Sequence, residues 1–342
     1  MKQKLLQLTA LVCAVASLFA AAPASAASNG LGITPRKDYT VKAGDSVSDK
    51  LYVSNLSTNQ DLDLSIRLVD FKAQDETGTP ALDLSENAPQ TPWSLKPFAK
   101  LPATLHLGAG KSTYVPFTIT IPAGQGAGSY YSAVQFAAQN SPEQKKVSIA
   151  ASSTTLLFVN VPGKATESLN LLRFGAFKPS ADDQSGSFSS LFVASQPTVL
   201  AYRARNNGNV AEQPTGSIVV KNSFGKQVAL IQDVNPKKQL ALRGQIRRFE
   251  VCLKSEAKTV TQNGQQSTEQ VCGSAHLWPG RYTAQMDVFY GLSGNASQEI
   301  AATATFWYLP WWFLIGVLVV VAAVVFLAMW AYRKLTGRRR RR

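Results

Sequence analysis

Between residues 27 and 305, apolar and polar positions alternate in short runs separated by Gly, Pro and Asn clusters. Leu62, Leu64, Ile66 and Leu68 alternate with Asp63, Ser65 and Arg67. A period of two puts one set on a buried face and the other in water. Comparable runs are Leu51 to Val53, Tyr114 to Ile121, Tyr130 to Phe136 and Thr154 to Val161. They continue with Val199 to Arg205, Ser217 to Val220, Arg247 to Cys252, Tyr282 to Phe289 and Glu299 to Phe306. Helical periodicity is nearly lacking here, so the pattern predicts strands. Val161-Pro162-Gly163 is the best break and divides the body into 27–162 and 163–305. Each half has about 140 residues and roughly seven to nine short strands, the size and spacing of an Ig-like sandwich. The expected fold class is therefore all-β: two tandem Ig-like β-sandwich domains plus one C-terminal transmembrane α-helix.

The pattern changes at both ends. Residues 1–26 read as a secretory signal peptide: Lys2 and Lys4, then apolar Leu5 to Ala22, then Ala24-Ser25-Ala26 as a small-residue cleavage site. Trp311 to Ala331 is 21 residues without a charge. At about 1.5 Å per residue such a helix matches a hydrocarbon layer of roughly 30 Å. Trp307, Tyr308, Trp311 and Trp312 mark one interface, and Trp330 and Tyr332 the other, so 306–332 reads as a membrane helix with aromatic belts. Residues 333–342 form a basic cytoplasmic tail. Leu309-Pro310 opens like a sortase signal, but Trp312 and Phe313 stand where Thr and Gly are required, which argues against covalent wall attachment. The expected topology is single-pass in a cell membrane, with an extracellular or periplasmic body.

The net charge of +14 first suggests a nucleic-acid partner. Seven basic residues lie between Arg333 and Arg342, and Lys2 and Lys4 lie in the leader. Without these nine, 26 basic residues face 21 acidic ones, a net +5. The charge is a topology signal, so no nucleic-acid partner is expected.

Candidate chemistry is sparse. Cys13 leaves with the leader, so Cys252 and Cys272 are expected to form a disulfide in an exported chain. Gly108-Ala109-Gly110-Lys111-Ser112-Thr113 resembles the end of a phosphate-binding loop, yet Leu105 stands where its first Gly belongs and a strand follows; a turn is the better reading. The acidic stretch Asp70, Asp75, Glu76, Asp83 and Glu86 lacks calcium-loop spacing and reads as a solvated loop. His106 and His276 are the only histidines, neither has ligand spacing to the cysteines, and no Gly-x-Ser-x-Gly elbow occurs. No catalytic residue, cofactor or metal is expected.

Gly128-Ser129-Tyr130 and Gly280-Arg281-Tyr282 each head an alternating strand, an internal repeat. Sandwiches place there a Tyr whose hydroxyl ties back to an earlier backbone segment. Tyr131 points to the other face and is the freer ligand candidate. The segment PQTPWSLKPFAKLP, Pro89 to Pro102, offers Trp93 and Phe98 to stack on sugar or peptide, with Lys96 and Lys100 to attract an anionic polymer. The competing reading has Trp93 and Phe98 close one end of the sandwich core. Lys237, Lys238, Arg243, Arg247 and Arg248 read as a solvated basic face.

The order of parts resembles bacterial two-domain Ig-like surface proteins, with distant similarity to the WxL-interacting proteins of Gram-positive bacteria. The similar stretches are Ile33-Thr34-Pro35, Ala43 to Ser46 before Val53-Ser54-Asn55, Val115 to Pro122, Gly128 to Phe136, Arg205 to Asn209 and Gly216 to Val220. The resemblance implies peptidoglycan binding by the first domain and host or partner protein binding by the second; no site residue is carried over. The expected function is a non-enzymatic, membrane-anchored surface protein that binds cell-wall polymer or a partner protein. The alternative is a scaffold or chaperone-like subunit of a membrane complex that recognises proteins through an exposed strand edge. An extracellular hydrolase comes third.

Overall fold

The computed structural model describes residues 30–338 apart from 86, 88, 140–151, 181–184, 263–264 and 292–297. The expected leader and Arg339 to Arg342 lie outside the described residues. The chain is mostly β, built as two β-sandwiches followed by one long apolar helix.

In the first sandwich a four-stranded sheet runs in the order Leu31–Ile33, Ser46–Asn55, Ser112–Thr120, Ala99–Lys100. It faces a five-stranded sheet ordered Arg36–Thr40, Ser152–Val161, Gly128–Ala138, Leu62–Val69, Thr104–Leu107. The alternation read from Leu62 to Leu68 carries over to the structure: Leu64 and Ile66 enter a core with Leu51, Val115, Phe117, Val134 and Leu157, while Arg67 stays exposed. In the second sandwich a four-stranded sheet runs Gly186–Phe188, Leu169–Pro179, Val199–Asn206, Ile246–Cys252. The opposing sheet is ordered Leu191–Phe192, Gln298–Tyr308, Gly280–Tyr290, Thr215–Asn222, Gln227–Ile231. Tyr202, Phe249, Ile218, Met286 and Phe306 fill the space between them.

Both sandwiches share one device. In each a short strand at the edge of the five-stranded sheet runs parallel to the last strand: Arg36–Thr40 beside Leu156 to Asn160, and Leu191–Phe192 beside Trp307 and Tyr308. The remaining pairings of these four sheets are antiparallel. The Cys252–Cys272 disulfide closes the base of a hairpin, Ser255–Gln262 with Gln265–Cys272.

The helix Trp311–Arg338 begins two residues after the last strand ends. Phe313 and Leu314 donate their N–H groups to the carbonyl of Pro310, which itself has no N–H to lose. Trp311–Lys334 has a mean hydropathy of 2.9 and is long and apolar enough to cross a membrane. Phe306 to Tyr308, which the aromatic belts placed in the membrane segment, are strand residues instead. Phe306 is buried and stacks on Tyr282 at 5.4 Å, so the sandwich core claims it.

Candidate binding surfaces

Gly128 and Gly280 open the two repeat strands at φ values of 146° and 156°, a region that favours glycine. Two residues on, the Tyr130 hydroxyl donates to the Gly126 carbonyl at 2.8 Å and the Tyr282 hydroxyl to the Trp278 carbonyl at 2.6 Å. Each tyrosine closes a corner over five residues. Both are spoken for by the fold, as the repeat suggests.

Tyr131 is not free. It is 1% exposed, and its ring stacks on Trp93 at 5.8 Å and meets Phe71 at 5.1 Å and Phe158 at 5.6 Å. The cause is the position of its strand. Gly128–Ala138 is an inner strand with one face on its own core and the other covered by the second sandwich, through Leu242, Leu240 and Ala211. Burial along this strand is consequently almost continuous, the signature of a strand covered on both sides. Apolar Tyr131 and Ala133 on the supposedly outer face carried that signal in the sequence.

Polar contacts lock this seam. Ser129 N–H donates to the Asn209 carbonyl at 3.0 Å, Asn209 Nδ2 to the Ala127 carbonyl at 3.0 Å, and Ala211 N–H to Ser129 Oγ at 2.9 Å. A Cβ on Gly128 would stand 2.8 Å from the Asn209 carbonyl, so the halves approach too closely for any other residue. On the other side Arg248 N–H donates to the Glu76 carbonyl at 2.7 Å, and Arg203 pairs with the Glu76 carboxylate. The guanidinium of Arg243 lies 5.9 Å from the Trp93 ring centroid. The basic cluster divides: Lys237, Lys238 and Arg243 are exposed, as expected of a solvated face, whereas Arg247 and Arg248 are buried, and burial lowers Arg247 to about 10, against a smaller opposing effect of Asp75.

The proline-rich segment splits between two tasks. Phe98 packs on the first core, edge to face with Tyr130 at 5.9 Å. Trp93 belongs to the seam. Lys96 Nζ lies 3.9 Å from Asp70 Oδ2, and Lys100 stays exposed on the short strand paired with Thr118. Asp70, expected in a solvated loop, is buried. It accepts Thr91 N–H at 3.0 Å, Thr91 Oγ1 at 3.2 Å, Ser94 Oγ at 2.7 Å and Ser132 Oγ at 3.0 Å, so it fastens the segment to the inner strand. Asp75, half-buried, caps its own turn: Thr77 Oγ1 and the N–H groups of Thr77 and Gly78 donate to it and hold its pKa below the usual carboxylate range. Among the described residues, no group of three or more His, Cys, Asp or Glu side chains is placed to hold a metal ion. His106 pairs with Asp63 at 2.7 Å on an exposed strand, and the hydrogen bond that its ring donates to the Asp63 carboxylate raises its pKa.

A cleft of about 330 Å³ opens beside the seam, lined from the first sandwich by Arg36, Tyr39 and Asn160 and from the second by Glu212, Gln213 and Leu240. Glu212 is 1% exposed; burial, with the nearby Glu167 charge second, pushes its carboxyl up to about 7, while the Gly291 N–H partly offsets this. Glu212 Oε1 and Asn160 Oδ1 are buried without hydrogen-bond partners. Sequence reading missed Glu212; the one available signal was a carboxylate between Ala211 and Gln213 in a stretch otherwise poor in charge.

The second sandwich also presents a free edge. Gln227–Ile231 pairs on one side with Thr215–Asn222 and, among the described residues, has no strand on the other. Ala229 and Ile231 face the core. Val228 and Leu230, on the opposite face, are exposed, Leu230 by 48%.

No protein-family model matches the chain, and no curated protein matches it. Among solved structures it is similar to several chaperones. The class 5 fimbriae chaperone CfaA is 13% identical over 80% of this chain and 98% of its own, with a TM-score of 0.34. The E. coli chaperone DraB is 11% identical over 71% and 97%, with a TM-score of 0.34. The Pseudomonas aeruginosa chaperone CupB2 is 8% identical over 79% and 97%, with a TM-score of 0.31. The fold is defined by the strand order and registers above; these likenesses add no residue role to it.

Proposed function

We propose that the chain is a non-enzymatic, membrane-anchored protein whose body, in two domains spanning 27–162 and 163–305, binds a protein partner by strand addition. In this reading it is a scaffold or chaperone-like subunit of a membrane complex. The helix spans the membrane from Trp311 to Tyr332, the disulfide-bearing body lies outside the cytoplasm, and Arg333 to Arg342 lie inside. The observation that carries the reading is the Gln227–Ile231 edge: unpaired backbone next to exposed Val228 and Leu230. Native sheets usually protect such an edge with charge or Pro, and this one carries neither. A partner strand would gain main-chain hydrogen bonds together with an apolar pair to cover. The wall-polymer reading is less favoured because Tyr131 is buried and Trp93 and Phe98 each pack one side against the fold. The test is purification of the full-length protein from membranes in mild detergent. A stoichiometric protein should accompany the wild type and be lost with Leu230→Lys, at unchanged thermal stability. Retention of the same partner by Leu230→Lys would refute the edge, and sedimentation of the protein with isolated cell walls would restore the polymer reading.

A further inference from the structure

We propose that the membrane-proximal end of the second sandwich docks onto the lipid headgroup layer through the exposed rings of Phe224 and Trp278; this rests on the reading that the helix spans the bilayer. The junction leaves little choice of orientation. Only Leu309 and Pro310 separate the last strand from the helix. Leu309 N–H is held by the Phe192 carbonyl at 2.9 Å, Trp307 N–H by the Ser190 carbonyl at 2.7 Å, and Pro310 is buried. There is no stalk.

The sheet register says what else lies at that end. Tyr308 is opposite Gly280, and Phe306 is opposite Tyr282, which is opposite Asn222. The turn after Asn222 therefore projects past the Phe306 row, and the loop before Gly280 projects past the Tyr308 row, toward the helix start. Phe224 sits at the tip of the first and is 93% exposed; Trp278 sits in the second and is 80% exposed. Neither loop is slack. Asn222 Oδ1 accepts the N–H groups of Phe224 and Lys226 at 3.0 Å each, with Gly225 at φ 76°, and Ser223 Oγ donates to the Arg281 carbonyl at 3.0 Å. The Trp278 carbonyl is tied to Tyr282, and Leu277 N–H donates to Gln196 Oε1 at 2.9 Å. Two large rings are thus held out into solvent by built turns, level with the Trp311 and Trp312 end of the helix.

Leu191 and Trp307, paired in register, add exposed apolar surface at the same end. Lys226 and Arg281 supply positive charge there, and the segments 189–193, 222–226 and 277–281 contain no Asp or Glu. Rings of this kind prefer the interface, where the apolar body is sheltered and the polar edge stays wet, and lysine and arginine favour an anionic surface. The hairpin closed by the disulfide leaves from this end as well; its Ser, Thr, Gln, Lys and Glu side chains suit the headgroup layer or water rather than hydrocarbon.

The test uses the full chain in vesicles of phosphatidylcholine and phosphatidylglycerol, with a polarity-sensitive fluorophore on Phe224→Cys, Glu299→Cys or Leu318→Cys and wild type as the labelling blank. Glu299 lies nine residues from Tyr308 along the same strand, roughly 30 Å from the junction. The Phe224→Cys probe should be quenched by a spin label near the lipid headgroups and shielded several-fold from aqueous iodide, and the Glu299→Cys probe the reverse. If Leu318→Cys is shielded but Phe224→Cys is as open to iodide as Glu299→Cys, the docking is overturned alone. If Leu318→Cys is open to iodide, the spanning reading fails and the docking with it. Shielding at Phe224→Cys that lipid-borne quenchers do not reach, and that grows with protein concentration, would assign the patch to a second copy and overturn the lipid assignment.

Discussion

Replacing Glu212 by Gln should stabilise the protein at neutral pH and leave it unchanged in acid. The carboxyl rises from an ordinary 4.5 to about 7 because burial disfavours its charge, and Glu167 adds to this. Between those values the native state keeps a proton that the unfolded chain has released. Stability therefore falls as pH rises from about 4.5 to 7 and levels off above it. The full swing is at most about 3.5 kcal/mol, at roughly 1.4 kcal/mol for each tenfold change in proton activity. Glutamine keeps the shape, cannot ionise, and places its amide in a cleft where Asn160 Oδ1 lacks a donor. Thermal unfolding of the full-length protein in detergent, followed by near-UV circular dichroism at pH 5, 6, 7 and 8, measures the difference. Variant and wild type should coincide near pH 5 and separate to roughly 5–10 °C at pH 8, on the usual few degrees per kcal/mol for a body of this size. His106 works in the same direction in wild type, since its raised pKa gives stability in acid that is lost as pH rises through it, but it cancels in the difference. Parallel profiles for the two proteins across the range would refute the buried, protonated acid.

Asp70→Ala should cost about 3 kcal/mol, because it strips an acceptor from three buried or half-buried hydroxyls and one N–H, whereas Asp70→Asn should cost less; urea unfolding separates them. The Cys252→Ser, Cys272→Ser double variant opens a loop of sequence separation 20 and should lose about 3 kcal/mol on the chain-entropy account, measured as a fall in Tm that reductant reproduces in wild type. An unaltered Tm under reductant would count against the bridge as a stabilising link.

The alternation Leu62, Leu64, Ile66, Leu68 and its counterparts sufficed to read strands, because one face of an antiparallel strand meets water and the sequence must record it. The Gly-x-Tyr repeat was legible for a similar reason: a corner needs glycine for its backbone and a phenol for its long reach, and both are local requirements. Tyr131 and the arginines at 247 and 248 were read as more open than they are because nothing local says that a second sandwich covers a first. An exposed aromatic and a buried one look alike along a chain. The same blindness hid Asp70, whose four donors come from positions 21 to 62 residues away.

By itself, the sequence determined the fold class of this protein: the strand period and the long apolar helix are local or compositional, and short-range physics enforces them. Tertiary structure alone decided which surfaces remain to bind anything. The seam buried Tyr131 and half-buried Trp93 and left one acid buried in a cleft, while an edge strand stayed open and two rings stayed exposed at the end that meets the helix. Burial of a given side chain depends on what the rest of the chain brings against it, and that is a long-range property no window of sequence contains.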